Sequence, residues 1–185
     1  MNTKNLVLMA LLVSVGAALY VVIPGFSGGM KPDFMLTMMF IGILLFPNVK
    51  SVFLLAVTTG VISGLFSTFP GGFFPNIIDK FITAFVFFAF VLILKKVVVK
   101  LPVAIALCAA GTVLSGTIFL SAAIFVIGAE IPFGLLFTTV VLPAIVLNGV
   151  AFALIYPIVI QLVRRSKFET AVTPSAGRSG SITAR

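Results

Sequence analysis

The stretch PNIIDK, Pro75 to Lys80, places an amide, a carboxylate and an amine within five positions: Asn76, Asp79 and Lys80. It closes the segment Ser67–Lys80, whose Pro70, Gly71, Gly72 and Pro75 argue against a continuous helix. A second such group, Lys31 with Asp33, lies in the segment PGFSGGMKPD, and Glu130 lies in GAEIPFG. Paired opposite charges suit a small zwitterion, which needs one group for its anion and one for its cation. For any one of these charges alone a solvated loop residue is the commoner use, and Asn76 has a competing structural use as a helix cap. Phe69, Phe73 and Phe74 flank the same segment and offer faces for an aromatic ligand or an anchor at a membrane surface.

The elements around these groups are almost entirely apolar. Of 185 residues 61% are hydrophobic and 9% charged, with a mean hydropathy of +1.33. A soluble domain carries roughly 25% charged residues. The chain therefore reads as an integral membrane protein. Its first apolar run has no small-residue cleavage site and reads as a membrane helix rather than a signal peptide. There is no histidine, which removes imidazole acid–base chemistry and the commonest transition-metal ligand. The one cysteine, Cys108, permits no intrachain disulfide and reads as a small core residue. No phosphate-binding GxxxxGK[ST] loop is present. An enzyme is not expected, nor a metal or other cofactor. A net charge of +8 raises nucleic acid as a partner, but the basic residues sit at the ends of apolar runs, which fits membrane orientation instead.

Six apolar segments are predicted, since a bilayer span needs roughly 17–25 residues. They run from about Leu6 to Ile23, Phe34 to Phe46, Ser51 to Phe66, Phe81 to Leu94, Leu101 to Ile127 and Leu135 to Val163. The second to fourth are short, so parts of the first and third loops are expected to dip into the protein. Residues 1–168 form one six-helix transmembrane domain, and 169–185 read as a disordered cytoplasmic tail. With both termini inside, ten of the twelve basic residues are cytoplasmic and only Lys31 and Lys80 lie outside, as the positive-inside rule favours. Asp33, Asp79 and Glu130 then share the outer side.

Several in-span residues have two readings. Ala10, Ser14 and Ala18 make a small-residue face, either for another membrane protein or for packing within the bundle. Gly60 and Gly64 form a GxxxG that favours internal packing. Thr112, Ser115, Thr117 and Ser121 line a cavity or bond back to a carbonyl one turn earlier, the latter being the commoner use. Asn148 requires a partner in hydrocarbon, either another helix or a ligand. Pro143 and Pro157 are expected to kink the last helix.

Taken in order, GGMKPD (Gly28–Asp33), LTMMFIGILLFP (Leu36–Pro47), FPGG (Phe69–Gly72), PNIIDK (Pro75–Lys80), SGT (Ser115–Thr117), and LPA with LN (Leu142–Ala144, Leu147, Asn148) resemble the tryptophan transport proteins of Firmicutes. These are substrate-binding S-components of energy-coupling factor (ECF) transporters. The resemblance covers about Met1 to Arg165. It implies an all-α, six-helix S-component-like bundle in the bacterial cell membrane, with a pocket for L-tryptophan in its outer half. It implies as partners a transmembrane coupling subunit and two cytoplasmic ATPase subunits. It makes Lys31, Asp33, Phe74, Asn76, Asp79, Lys80 and Asn148 the expected substrate-binding residues, with the indole against Phe74. It makes Ala10, Ser14 and Ala18 the expected docking face, Ser14 standing where the family pattern has alanine. A solitary secondary carrier is the alternative, although no inverted repeat is evident.

Overall fold

In the computed structural model, residues 3–23, 31–166, 168 and 170–172 are described, and among them every regular element is helical. Six helices follow in order: α1 (Thr3–Val22), α2 (Phe34–Leu45), α3 (Val49–Leu65), α4 (Phe73–Ile93), α5 (Leu101–Ile127) and α6 (Phe133–Arg165). Four of them, α1, α4, α5 and α6, are long and apolar enough to cross a bilayer. The chain is thus an all-α membrane bundle.

Helix α2 is the axis. All of its 12 residues are buried, and α1, α3, α4, α5 and α6 all pack against it. At 1.5 Å per residue it is about 18 Å long, too short for a hydrocarbon core of about 30 Å. It is a core helix sealed inside the others, and its N-terminus, at Asp33, begins within the protein.

The expected start of α4 at Phe81 is corrected by eight residues. Helix α4 begins at Phe73, with Gly72 as its N-cap. Pro75 does not break it because the first turn of a helix has no intrahelical use for its N–H groups. Asn76, Asp79 and Lys80 therefore stand on the first two helical turns, not in a loop. Their spacing of three and four puts them on one face, which continues through Thr83, Ala84 and Phe87, all buried. Asn76 is also not an N-cap: its Nδ2 donates to the Gly72 carbonyl at 2.7 Å.

Glycine sets the helix spacing. A Cβ on Gly64 would come within 2.9 Å of the Phe73 carbonyl oxygen, and one on Gly60 within 3.1 Å of Ile77 Cα. The GxxxG of α3 is consumed in packing on α4, as expected. On α5, Gly111 admits the Phe40 ring, which stacks on Phe87 at 4.0 Å between centroids.

Helix α6 contains a π-helical turn, Phe137–Val141, ahead of Pro143. Proline has no N–H to continue the α-helical ladder, and single π turns of this kind occur inside longer helices. The tail is corrected at its start. Thr170 is buried, Phe168, Ala171 and Val172 pack on the core, and the Ala171 N–H donates to Leu45 O at 2.9 Å. Pro24–Met30 and the tail from Thr173 lie outside the described residues.

Gly64→Leu should drive α3 off α4 at a cost of about 1–3 kcal/mol, the range for overpacking. Nothing lies within 4 Å of a Cβ on Gly149, so Gly149→Ala serves as the control. Thermal unfolding in detergent should show a lowered midpoint for the first variant and none for the second.

Candidate functional site

A cavity of about 470 Å³ lies over the N-terminal end of α2. That is within the range of small-molecule sites, roughly 300–1,000 Å³. It is bounded by Tyr20 of α1, Asp33 and Leu36 at the start of α2, and the Ser67–Pro70 connection. Helix α4 adds Asn76, Asp79 and Lys80; α5 adds Thr112, Ser115 and Phe119; α6 adds Val140, Ala144 and Asn148. The third loop, expected to dip into the protein because the neighbouring spans are short, borders the cavity with Ser67 and Phe69 half-buried and Thr68 and Pro70 exposed.

Its floor is a chain of buried charges. Lys80 Nζ stands 2.7 Å from Asp33 Oδ2 and 2.8 Å from Asp79 Oδ2. Lys80 is 2% exposed and Asp79 1%. An unpaired charge at this depth would be very costly, so the pairing is obligatory. The remaining acceptor capacity is also used: Thr83 Oγ1 donates to Asp79 Oδ1 at 2.9 Å and Ser115 Oγ to Asp79 Oδ2 at 2.8 Å. Ser115 thus departs from the expected back-bonding, which Thr112 and Thr117 do follow.

Asp33 joins this network to the fold. Its Oδ1 caps α2 by accepting from Leu36 N–H at 2.9 Å, while Oδ2 faces Lys80. A carboxylate there also complements the positive end of the helix dipole. The backbone N–H of Asp33 donates to Asn148 Oδ1 at 2.7 Å, and Asn148 Nδ2 donates to Thr112 Oγ1 at 3.2 Å. Asn148, 1% exposed, is therefore an interhelical tie that also lines the cavity. Of its two readings, these hydrogen bonds bear out the interhelical one. Lys31 Nζ donates to the Tyr20 carbonyl at 2.7 Å and lies over the Tyr20 ring at 3.7 Å from its centroid.

The cavity thus gathers six of the seven expected site residues: Lys31, Asp33, Asn76, Asp79, Lys80 and Asn148. The seventh, Phe74, is corrected. It is 60% exposed and outside the cavity, its ring against Phe73. With α4 beginning at Phe73, Phe74 falls on the side of the helix away from Asn76 and Lys80. The aromatic rings that do line the cavity on this side are Phe69 and Phe119, edge to face with centroids 5.4 Å apart. Tyr20 and Phe119 were not anticipated; Tyr20, one of only two tyrosines, was the more noticeable signal. Glu130 is exposed and lines none of it.

The arrangement brings two cations, two anions and two phenylalanine rings to one cavity. Residues 2–164 match the family model of the tryptophan transporter TrpP. The chain belongs to this family. It is 52% identical to a probable tryptophan transport protein of Bacillus subtilis over 171 residues, 92% of this chain and 99% of the relative. It is 39% identical to a probable tryptophan transport protein of Clostridium acetobutylicum, covering 84% of this chain and 91% of the relative. A third, from Clostridium perfringens, is 37% identical over 89% and 96%. No solved structure matches the chain. The TrpP proteins are transporters and not enzymes.

Removing Lys80 strands the carboxylates of Asp33 and Asp79. Lys80→Met should destabilise the fold by about 3–5 kcal/mol, the range for breaking a buried ion pair. The check is a thermal melt in detergent, in which Lys80→Met should lie far below wild type.

Proposed function

We propose that the protein is the substrate-binding S-component of an ECF-type importer of L-tryptophan. The observation that carries this reading is the cavity itself, where charges of both signs lie beside an edge-to-face aromatic pair. Lys80 has three donor hydrogens, and among the described residues two are taken by Asp33 and Asp79. The third, with Lys31, suits the ligand carboxylate. Asp33, whose side chain is 30% exposed, suits the ammonium. The indole lies against Phe69 and Phe119.

Orientation follows from charge. Lys4, Lys50, Lys95, Lys96, Lys100, Arg164 and Arg165 all stand at the helix ends opposite those that line the cavity. The positive-inside rule then puts both termini in the cytoplasm of the bacterial cell and opens the cavity outward. With no phosphate-binding loop in the chain, energy comes from partners: a transmembrane coupling subunit and two cytoplasmic ATPases. Ala10, Ser14 and Ala18 are all exposed on α1. Small residues let helix backbones approach closely in lipid, which suits this face to docking on the coupling subunit.

The chain has no tryptophan, so added ligand is the only indole in the sample. Its emission should move to the blue on adding purified protein in detergent. An unshifted emission together with no calorimetric heat would falsify tryptophan binding. In proteoliposomes, uptake should require the coupling subunit, the ATPases and ATP. Uptake by the chain alone, driven by an ion gradient, would make it a secondary carrier. Replacing Ala10 and Ser14 together by Leu should leave tryptophan affinity within about twofold, as expected for residues remote from the ligand, and abolish ATP-dependent uptake.

A further inference from the structure

A pocket for tryptophan has three polar ends to satisfy: ammonium, carboxylate and the indole N–H. The first two are matched by charged groups. The third is a neutral donor, and if buried without an acceptor it would carry a desolvation penalty. The cavity must be searched for a neutral acceptor that the fold has not already used.

Several of its side-chain oxygens already accept from the protein. Asp79 accepts from Thr83, Lys80 and Ser115. Asn148 Oδ1 accepts the Asp33 N–H. Ser67 Oγ, beside the aromatic pair, takes the Phe69 N–H at 3.3 Å. Asn76 differs. Its carboxamide is held by the Gly72 carbonyl, which can only accept, so the nitrogen must be the atom that faces it. This fixes Oδ1 on the other side of the amide. Among the described residues, nothing donates to that oxygen.

Its position is also apt. Asn76 is 9% exposed and lines the cavity. The residue that anchors it is hydrogen-bonded to Phe69, since Gly72 N–H donates to Phe69 O at 2.9 Å. The Asn76 amide is thus tied to the residue whose ring forms the aromatic wall. Lys80 stands one helical turn further along the same face, about 6 Å at 1.5 Å per residue. That separation is comparable to the reach of the tryptophan side chain from its charged end to its ring nitrogen.

We propose that Asn76 Oδ1 accepts the indole N–H of bound tryptophan, and that Asn76 is the residue that selects indole over isosteric bicyclic aromatics. This rests on the tryptophan reading of the site. A site built to hydrogen-bond a donor rejects the analogue that lacks it, because its acceptor is then left unpaired.

The test compares L-tryptophan with β-(3-benzothienyl)-L-alanine, in which sulfur replaces the ring N–H. Affinities are measured by calorimetry on the purified full chain. Wild type should bind the sulfur analogue at least about tenfold more weakly, the size of a lost buried hydrogen bond. Asn76→Leu should lower tryptophan affinity at least about tenfold and leave the analogue bound no more weakly than by wild type, since the variant has no acceptor to strand. Where Asn76→Leu does not elute as folded protein, Asn76→Ala takes its place. Equal binding of the two ligands by wild type overturns the proposal while leaving the tryptophan reading intact. So does a variant that discriminates as strongly as wild type, or one that weakens both ligands equally. Wild type that binds neither ligand removes the tryptophan reading, and this proposal with it.

Discussion

A lysine sealed in the bundle must have its charge met within the protein. Lys80 is met by two carboxylates, Asp33 from the start of α2 and Asp79 from its own helix. Asp79 is in turn held by Ser115 of α5, and the Asp33 backbone by Asn148 of α6. One buried cation thereby obliges four helices to converge at a single level. The energetic lever is desolvation: the pairs need add little net stability, but no member can be removed cheaply.

The cavity is a consequence of the length of α2. A helix of 12 residues fills only part of the bundle's height. Longer helices continue past its N-terminus, and the space they enclose above Asp33 is the site. The same carboxylate caps the start of α2, neutralises Lys80 and borders the cavity, so helix capping, charge pairing and the cavity wall share one residue. Close packing around the floor is secured by glycines, with Gly60 and Gly64 against the first turns of α4 and, beneath it, Gly111 against the Phe40–Phe87 stack.

Much of this could be read from the chain. Hydropathy located the six segments, and the limits of α5 were found at Leu101 and Ile127. Charge type picked out Lys31, Asp33, Asp79 and Lys80. The errors were errors of helical phase and of context. Pro75 was read as a break because the same residue type is forbidden in a helix interior and harmless in its first turn. That moved the start of α4 and, with it, the side on which Phe74 falls. Phe119 was invisible because α5 is apolar on all sides, so periodicity carries no phase information there. Burial of Thr170 and packing of Val172 were missed because composition reports only the tail's average.

The central claim is that the charged floor reads both ends of a zwitterion. Competition between tryptophan and its two truncated forms tests it directly: tryptamine lacks the carboxylate, and indole-3-propionate lacks the ammonium. Each analogue should bind at least about tenfold more weakly than L-tryptophan, the loss expected for a charge-assisted hydrogen bond. If either binds as tightly as the amino acid, one half of the buried charge network plays no part in recognition, and the account is wrong.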